Sequence, residues 1–157
     1  MKVSLICISK TTEHYLSDGI SIYEKRLQHY CKFNRVEIPD LKNAKNLSKE
    51  QQKQKEAELI LSKITNQDFV VLLDEKGKEF TSLQFSNEIN KWMNQSISSV
   101  VFIIGGPYGF DQSIYDRANQ KISLSKLTFS HQMVRLFFVE QLYRAYSILK
   151  GEPYHHE

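Results

Sequence analysis

Cysteine occurs twice in these 157 residues, proline three times and glycine six times, and acidic and basic residues nearly balance. Each shortage closes a class of function. Cys7 and Cys31 have no metal-ligand spacing and offer no disulfide framework, so a bridge-stapled secreted fold is excluded. Cys7 lies in an apolar run and is expected to pack as a small hydrophobe. No apolar stretch approaches the ~20 residues that span a bilayer. The opening MKVSLICIS has too short an apolar run for a secretory leader. The expected compartment is the cytoplasm, with no membrane contact. The 21 Lys and Arg against 18 Asp and Glu leave a net charge of +3, which permits nucleic-acid binding without demanding it. The five histidines show no helical pair spacing suited to zinc, and no metal is expected.

Familiar phosphate-binding patterns are missing too. Residues 105–109, GGPYG, are not G-x-G-x-x-G, and Pro107 removes a backbone donor from any phosphate cradle. There is no GxxxxGK[ST], no serine-centred elbow and no reactive cysteine context.

What is present is alternation. Val3–Ile8 reads as a strand, 12–30 as a helix with Ile20, Tyr23, Leu27 and Tyr30 on one face, and 33–39 as a second strand closed by Pro39. After a polar loop over 40–47, Ser48 and Gln51 have capping-box spacing before a helix striped by Ala57, Ile60, Leu61 and Ile64. Phe69–Leu73 is a third strand, ending at an Asp74–Gly77 turn. Thr81 and Gln84 repeat the capping box, and Leu83, Ile89, Trp92 and Met93 form the next helix face. Ser99–Ile104 is a fourth strand. A short helix over 111–118, a fifth strand over Lys121–Ser125 and a long helix from Ser130 to Lys150 complete the pattern, the last stopped by Gly151 and Pro153. Apolar strands alternating with helices predict an α/β fold: a mostly parallel sheet with helices on both faces. The length fits one domain over 1–157.

Ligands of such sheets sit at the carboxyl ends of the strands. Two loops have that address: Leu73–Gly77, and Gly105-Gly106-Pro107. Without Cβ atoms, Gly105 and Gly106 let the backbone approach a ligand and take positive φ. The same glycines also fit a tight turn with no ligand, and the residues alone leave both open. In the last third, Arg135, Glu140, Gln141 and Arg144 interrupt an otherwise buried helix. Glu140 and Arg144 are four apart, in the order that favours an ion pair, structural or functional. The final Tyr154-His155-His156-Glu157 carries an aromatic ring and two imidazoles, which suit base stacking and phosphate contact if the end is not simply frayed.

The combination of IGGPYG, LSKLTF-x-HQMVR, VEQLYRAYSI and a terminal PYHHE, with VSLICISK and Tyr23–Leu27 near the start, resembles the RlmH family of SPOUT-class methyltransferases along the full length. The resemblance implies an α/β fold with a carboxyl-terminal trefoil knot and a homodimer. It implies transfer of a methyl group from S-adenosylmethionine to N3 of a pseudouridine in large-subunit ribosomal RNA, on the assembled ribosome. Matched by motif, the cofactor-binding positions fall on Leu73, Gly105, Gly106, Leu124, Ser125, Lys126, Leu127, Thr128 and Phe129. The catalytic candidates are His155 near the target base, Tyr154 stacking or hydrogen-bonding, Arg144 stabilising an anion or holding phosphate, and Glu140 orienting Arg144. His131 and Arg135 also match family positions and are expected at the dimer interface. Ser130 and His156 stand where relatives often carry Pro and Arg, which makes His156 a weaker phosphate contact. Two rival readings are another SPOUT enzyme methylating tRNA and a non-catalytic ribosome-binding protein of the same fold.

Overall fold

The unbroken apolar run at the start of the chain is the middle of a sheet. In the computed structural model, which describes residues 1–156, β1 (Lys2–Ile8) is buried from Val3 onward and pairs on both sides. The remaining elements are α1 (His14–Leu27), β2 (Lys32–Ile38), a 3-10 turn at Ala44–Asn46, α2 (Lys49–Leu61), β3 (Phe69–Glu79), α3 (Ser82–Asn94), β4 (Ser99–Ile104), α4 (Gln112–Arg117), β5 (Gln120–Ser123) and α5 (Met133–Leu149). The sheet order is β2-β1-β4-β3-β5, and every pairing is parallel.

Helices cover both faces, as the alternation predicts. Side chains of α1, α3 and α5 pack with Val3, Leu5, Cys7, Val100 and Phe102 on one face. On the other, Ala57 and Ile60 of α2 and Ile114 of α4 pack with Ile6, Ile8, Val70, Leu72 and Ile103. Phe102 and Phe138 meet at 4.6 Å between ring centroids beneath the buried Trp92 layer. Cys7 is fully buried, and burial pushes its thiol up to about 12, so it packs as an apolar group. Both capping boxes form reciprocally: Gln51 N donates to Ser48 Oγ while Ser48 N donates to Gln51 Oε1, and Thr81 and Gln84 repeat the exchange. At the end of α5, Gly151 takes φ +67°, and Gly151 N and Glu152 N donate to Ile148 O and Ser147 O, closing the helix with a Schellman turn.

Three expectations need correction. β3 does not stop at Asp74–Gly77. The residues bulge out of the ladder and pairing with β5 resumes at Lys78, Ile122 being partnered first by Leu73 and then by Lys78. Leu83 and Met93 lie on the exposed side of α3, because Phe85, Ser86, Ile89 and Trp92 form the buried stripe. Leu61 likewise sits at the exposed end of α2. Among the described residues, no helix is long and apolar enough to cross a membrane.

Candidate active site

Because β4, β3 and β5 are neighbours, the segments that follow or interrupt them meet. Leu73 pairs with Ile104 on one side and Ile122 on the other, so the bulge after Leu73, the glycines after Ile104 and the chain after Ser123 emerge side by side. They enclose a cavity of ≈ 670 Å³. Leu73, Gly105, Gly106, Leu124, Ser125, Leu127, Thr128 and Phe129 all line it. Lys126 is exposed and does not. Asp74, Lys76, Tyr108, Tyr115 and His131 are also on the wall.

Of the two reasons the sequence suggested for these glycines, positive φ fails and close backbone approach remains open. Neither Gly105 nor Gly106 has positive φ; Gly109 does, at +80°, where Gly109 N closes a turn onto Gly106 O. A Cβ on Gly105 would meet the Phe110 ring at 3.1 Å, and one on Gly106 would meet the Glu56 carboxyl at 2.7 Å. The protein itself fills the space where side chains would stand, so the main chain forms the cavity wall. Serines shape the opposite wall. Ser123 Oγ donates to Ser125 O at 2.9 Å, Leu127 N to Ser125 Oγ at 2.9 Å, and Met133 N to Ser130 Oγ at 3.1 Å. Phe129 packs on Phe137 of α5 at 4.9 Å, and Leu127 stands on the lip, 74% exposed. On the bulge, Lys76 N donates to Asp74 Oδ1 at 2.8 Å, and Tyr115 Oη donates to Asp74 Oδ2 at 2.5 Å. Burial and that carboxylate push the Tyr115 phenol up, so it remains a donor.

A second group forms where the tail folds back on α5. Arg144 Nη2 donates to Glu140 Oε1 at 2.5 Å and Nε to the same oxygen at 3.1 Å. Tyr154 Oη donates to that oxygen at 2.9 Å and lies 3.2 Å from Tyr23 Oη. The Arg144 guanidinium sits over the Tyr154 ring at 4.6 Å, and its Nη1 is 3.2 Å from His155 Nδ1. Burial and the hydrogen bonds with Tyr23 and Glu140 push the Tyr154 phenol up, so it stays neutral. Burial alone disfavours charge on Arg144, but Glu140 overrides it and raises Arg144 above its ordinary value. His156 is exposed.

The two groups do not meet within one chain. None of Glu140, Arg144, Tyr154 and His155 lines the cavity. Val134 does, and Arg144 lies ten residues farther along α5, roughly 15 Å at 1.5 Å per residue. Arg135 also has a different post from the interface expected of it. It is 0% exposed and bonded within its own chain: Nη2 donates to Ile8 O at 2.6 Å, Nη1 to Ser9 O at 2.9 Å and Glu37 Oε2 at 3.1 Å, and Nε to His131 O at 3.0 Å. It anchors the start of α5 to the ends of β1 and β2. Sequence reasoning passed over Glu56, Asp74 as a bonded acid, and Tyr115. Only pairing and packing bring Asp74 and Tyr115 together on the cavity wall and Glu56 behind it.

A family model described as "Predicted SPOUT methyltransferase" matches residues 1–155. Curated relatives named "Ribosomal RNA large subunit methyltransferase H" align from end to end. The protein of Christiangramia forsetii is 62% identical over 156 residues, covering 99% of each chain. Those of Parabacteroides distasonis and Flavobacterium johnsoniae are each 57% identical over 157 residues, covering 100% of both chains.

Proposed function

Since the chain belongs to the SPOUT methyltransferase family, we propose that it methylates N3 of a pseudouridine in large-subunit ribosomal RNA, with S-adenosylmethionine as donor and the assembled ribosome as substrate. The observation that carries the reading is the cavity where the segments after Leu73, Ile104 and Ser123 converge. Its walls fit the donor. The main chain at Gly105–Gly106 is bare, because Phe110 and Glu56 occupy the places of the missing side chains. Leu124, Leu127 and Phe129 supply apolar surface for an adenine, and the 73, 105 and 124–129 backbones supply hydrogen-bonding groups for its edge.

The donor, when bound, supplies a methyl group already activated by the sulfonium charge. The protein's work is then alignment and management of the N3 proton. An imide nitrogen gives up its proton more readily beside a fixed cation, and Arg144, held charged by Glu140, provides one. His155 Nδ1 takes a hydrogen bond from Arg144, which holds the imidazole beside the cation where the target base would stand, and the neutral Tyr154 phenol, donating to Glu140, leaves its ring as a stacking surface for the base. These groups stand apart from the cavity of their own chain. A second copy laying its tail cluster over the mouth of the cavity completes the site, and this is the basis on which a homodimer is proposed. Met133, Phe137 and Leu127, exposed around that mouth, give such a copy an apolar surface. The net charge of +3 suits a protein that docks on a shaped ribosomal surface rather than one that grips naked RNA by charge alone.

The test is incubation of the protein with labelled S-adenosylmethionine and ribosomes lacking the modification, followed by mass-spectrometric mapping. The expected result is one labelled pseudouridine in large-subunit RNA. Label in tRNA, or none in ribosomes that accept it from a related enzyme, defeats the reading.

A further inference from the structure

Beneath Gly106 lies a carboxyl group without a counter-charge. Glu56 projects from α2 and is 4% exposed. Its Oε1 is sealed from solvent and has no hydrogen-bond partner among the described residues. A Cβ on Gly106 would stand 2.7 Å from Oε1 and 2.8 Å from Oε2. Gly106 lines the main cavity, and with Glu56 it also lines the narrow void underneath. The carboxyl therefore stands about one peptide's thickness from the cleft.

The surrounding elements bring acids rather than cations. Asp40, from the chain after β2, shares a small hollow with Glu56, and Asp111, from the start of α4, lines the same void. Lys53, on α2 itself, also lines that void and the main cavity, but its ammonium is held 3.0 Å from Glu50. His131, from the segment before α5, is pushed down by burial and by Arg135 and so is neutral at physiological pH. Burial raises Glu56 above its ordinary 4.5; a hydrogen bond with Gln52 opposes the rise and Asp40 adds to it. A buried acid without a cation is costly, and native structures rarely keep one idle.

We propose that Glu56 is a specificity-determining residue that makes the cleft favour a ligand with a fixed positive charge: the sulfonium of S-adenosylmethionine over the neutral thioether of S-adenosylhomocysteine. This rests on the reading of the Gly105–Gly106 cleft as the cofactor site. A carboxylate a few ångströms behind a thin backbone wall interacts with a cation through low-dielectric protein, where a unit charge several ångströms away alters affinity by about tenfold. The neutral product leaves more easily for the same reason. The pH dependence has a fixed sign. Cation binding favours the ionised acid, so affinity for the sulfonium falls as pH drops and Glu56 takes up its proton.

The experiment is calorimetric titration of wild type and Glu56→Gln with each ligand, at about pH 7.5 and about pH 5. Both ligands carry the same amino and carboxylate groups, so the ratio of their Kd values cancels that chemistry. In wild type the preference for the sulfonium is expected to fall several-fold on acidification. In Glu56→Gln it should be about tenfold weaker at the higher pH, with a shallower slope. Any slope that remains belongs to His131, which lines the same cavity and gains a proton as the pH falls. Equal preference in the two proteins at about pH 7.5 overturns this inference alone, while failure of wild type to bind either ligand overturns the cofactor reading along with it. Glu56→Gln removes a buried charge and is expected to fold. Should it not, a wild-type preference that is the same at both pH values still refutes the proposal.

Discussion

Tyr154 Oη donates to Glu140 Oε1 at 2.9 Å, the oxygen that Arg144 also holds, so Tyr154 is clamped onto α5 through one carboxylate atom. The side chains of Arg144 and Glu140 are 24% and 18% exposed, so solvent screens the pair and its share of stability is small, about 1 kcal/mol. Arg144→Ala should therefore lower the urea midpoint by only about 0.5 M and lower methyl transfer to ribosomes by at least about tenfold. A fall in melting temperature with normal specific activity would make the pair purely structural.

Arg135 invites the opposite expectation. Its guanidinium serves Ile8 O, Ser9 O, His131 O, Thr11 Oγ1 and Glu37 Oε2 from a fully buried position. Removing it orphans the carbonyls and leaves Glu37 with Arg35, at 2.9 Å, as its remaining cation. Arg135→Ala should cost about 3 kcal/mol or more in denaturant unfolding. Arg135→Lys should recover only part of this, since one ammonium cannot reach that many acceptors. A wild-type unfolding midpoint in Arg135→Ala contradicts the anchoring role.

Gly105 separates binding from folding. Valine there must displace the Phe110 ring, which a Cβ alone would meet at 3.1 Å. Phe110 stands beside the cleft, so the shift deforms the wall without breaking the sheet. Gly105→Val should lose S-adenosylmethionine binding by calorimetry, at least about 100-fold, with a normal circular-dichroism spectrum. Retained affinity would move the cofactor site elsewhere.

Acid should weaken the fold through Glu37. Burial works to raise this carboxyl, but hydrogen bonds from Thr11 and the charges of Arg35 and Arg135 prevail and hold it below its ordinary 4.5. A carboxyl lowered in the native state adds stability that is complete above the unfolded value and disappears as pH falls through the native one. Asp68, bonded to Ser99 and Thr65, acts with the same sign. The urea midpoint should thus fall steadily below about pH 4.5, and less steeply in Glu37→Gln. Identical slopes would remove Glu37 from the linkage.

Read along the chain, local periodicity and capping chemistry were enough for the alternation of strands and helices, both capping boxes, the glycine stop after α5 and the Glu140–Arg144 pair. All of these depend on residues one to five positions apart, or on a run of apolar side chains, and neighbours in sequence are neighbours in space whatever the fold. Motif resemblance then tied the loops at 73, 105 and 124–129 together. Strand order was beyond reach, and so was everything that follows from it: β3 bulging at Asp74–Gly77 and resuming its ladder, Glu56 filling the place of a side chain at Gly106, Arg135 reaching back to Ile8 and Glu37, and the separation of the tail cluster from its own chain's cavity. Each depends on positions far apart along the chain, and only the packing of a closed core decides whether they touch or stay apart. The sequence by itself determined the pieces and the residues able to do chemistry; the tertiary structure decided which of them meet, because proximity across a sheet is set by topology and not by spacing.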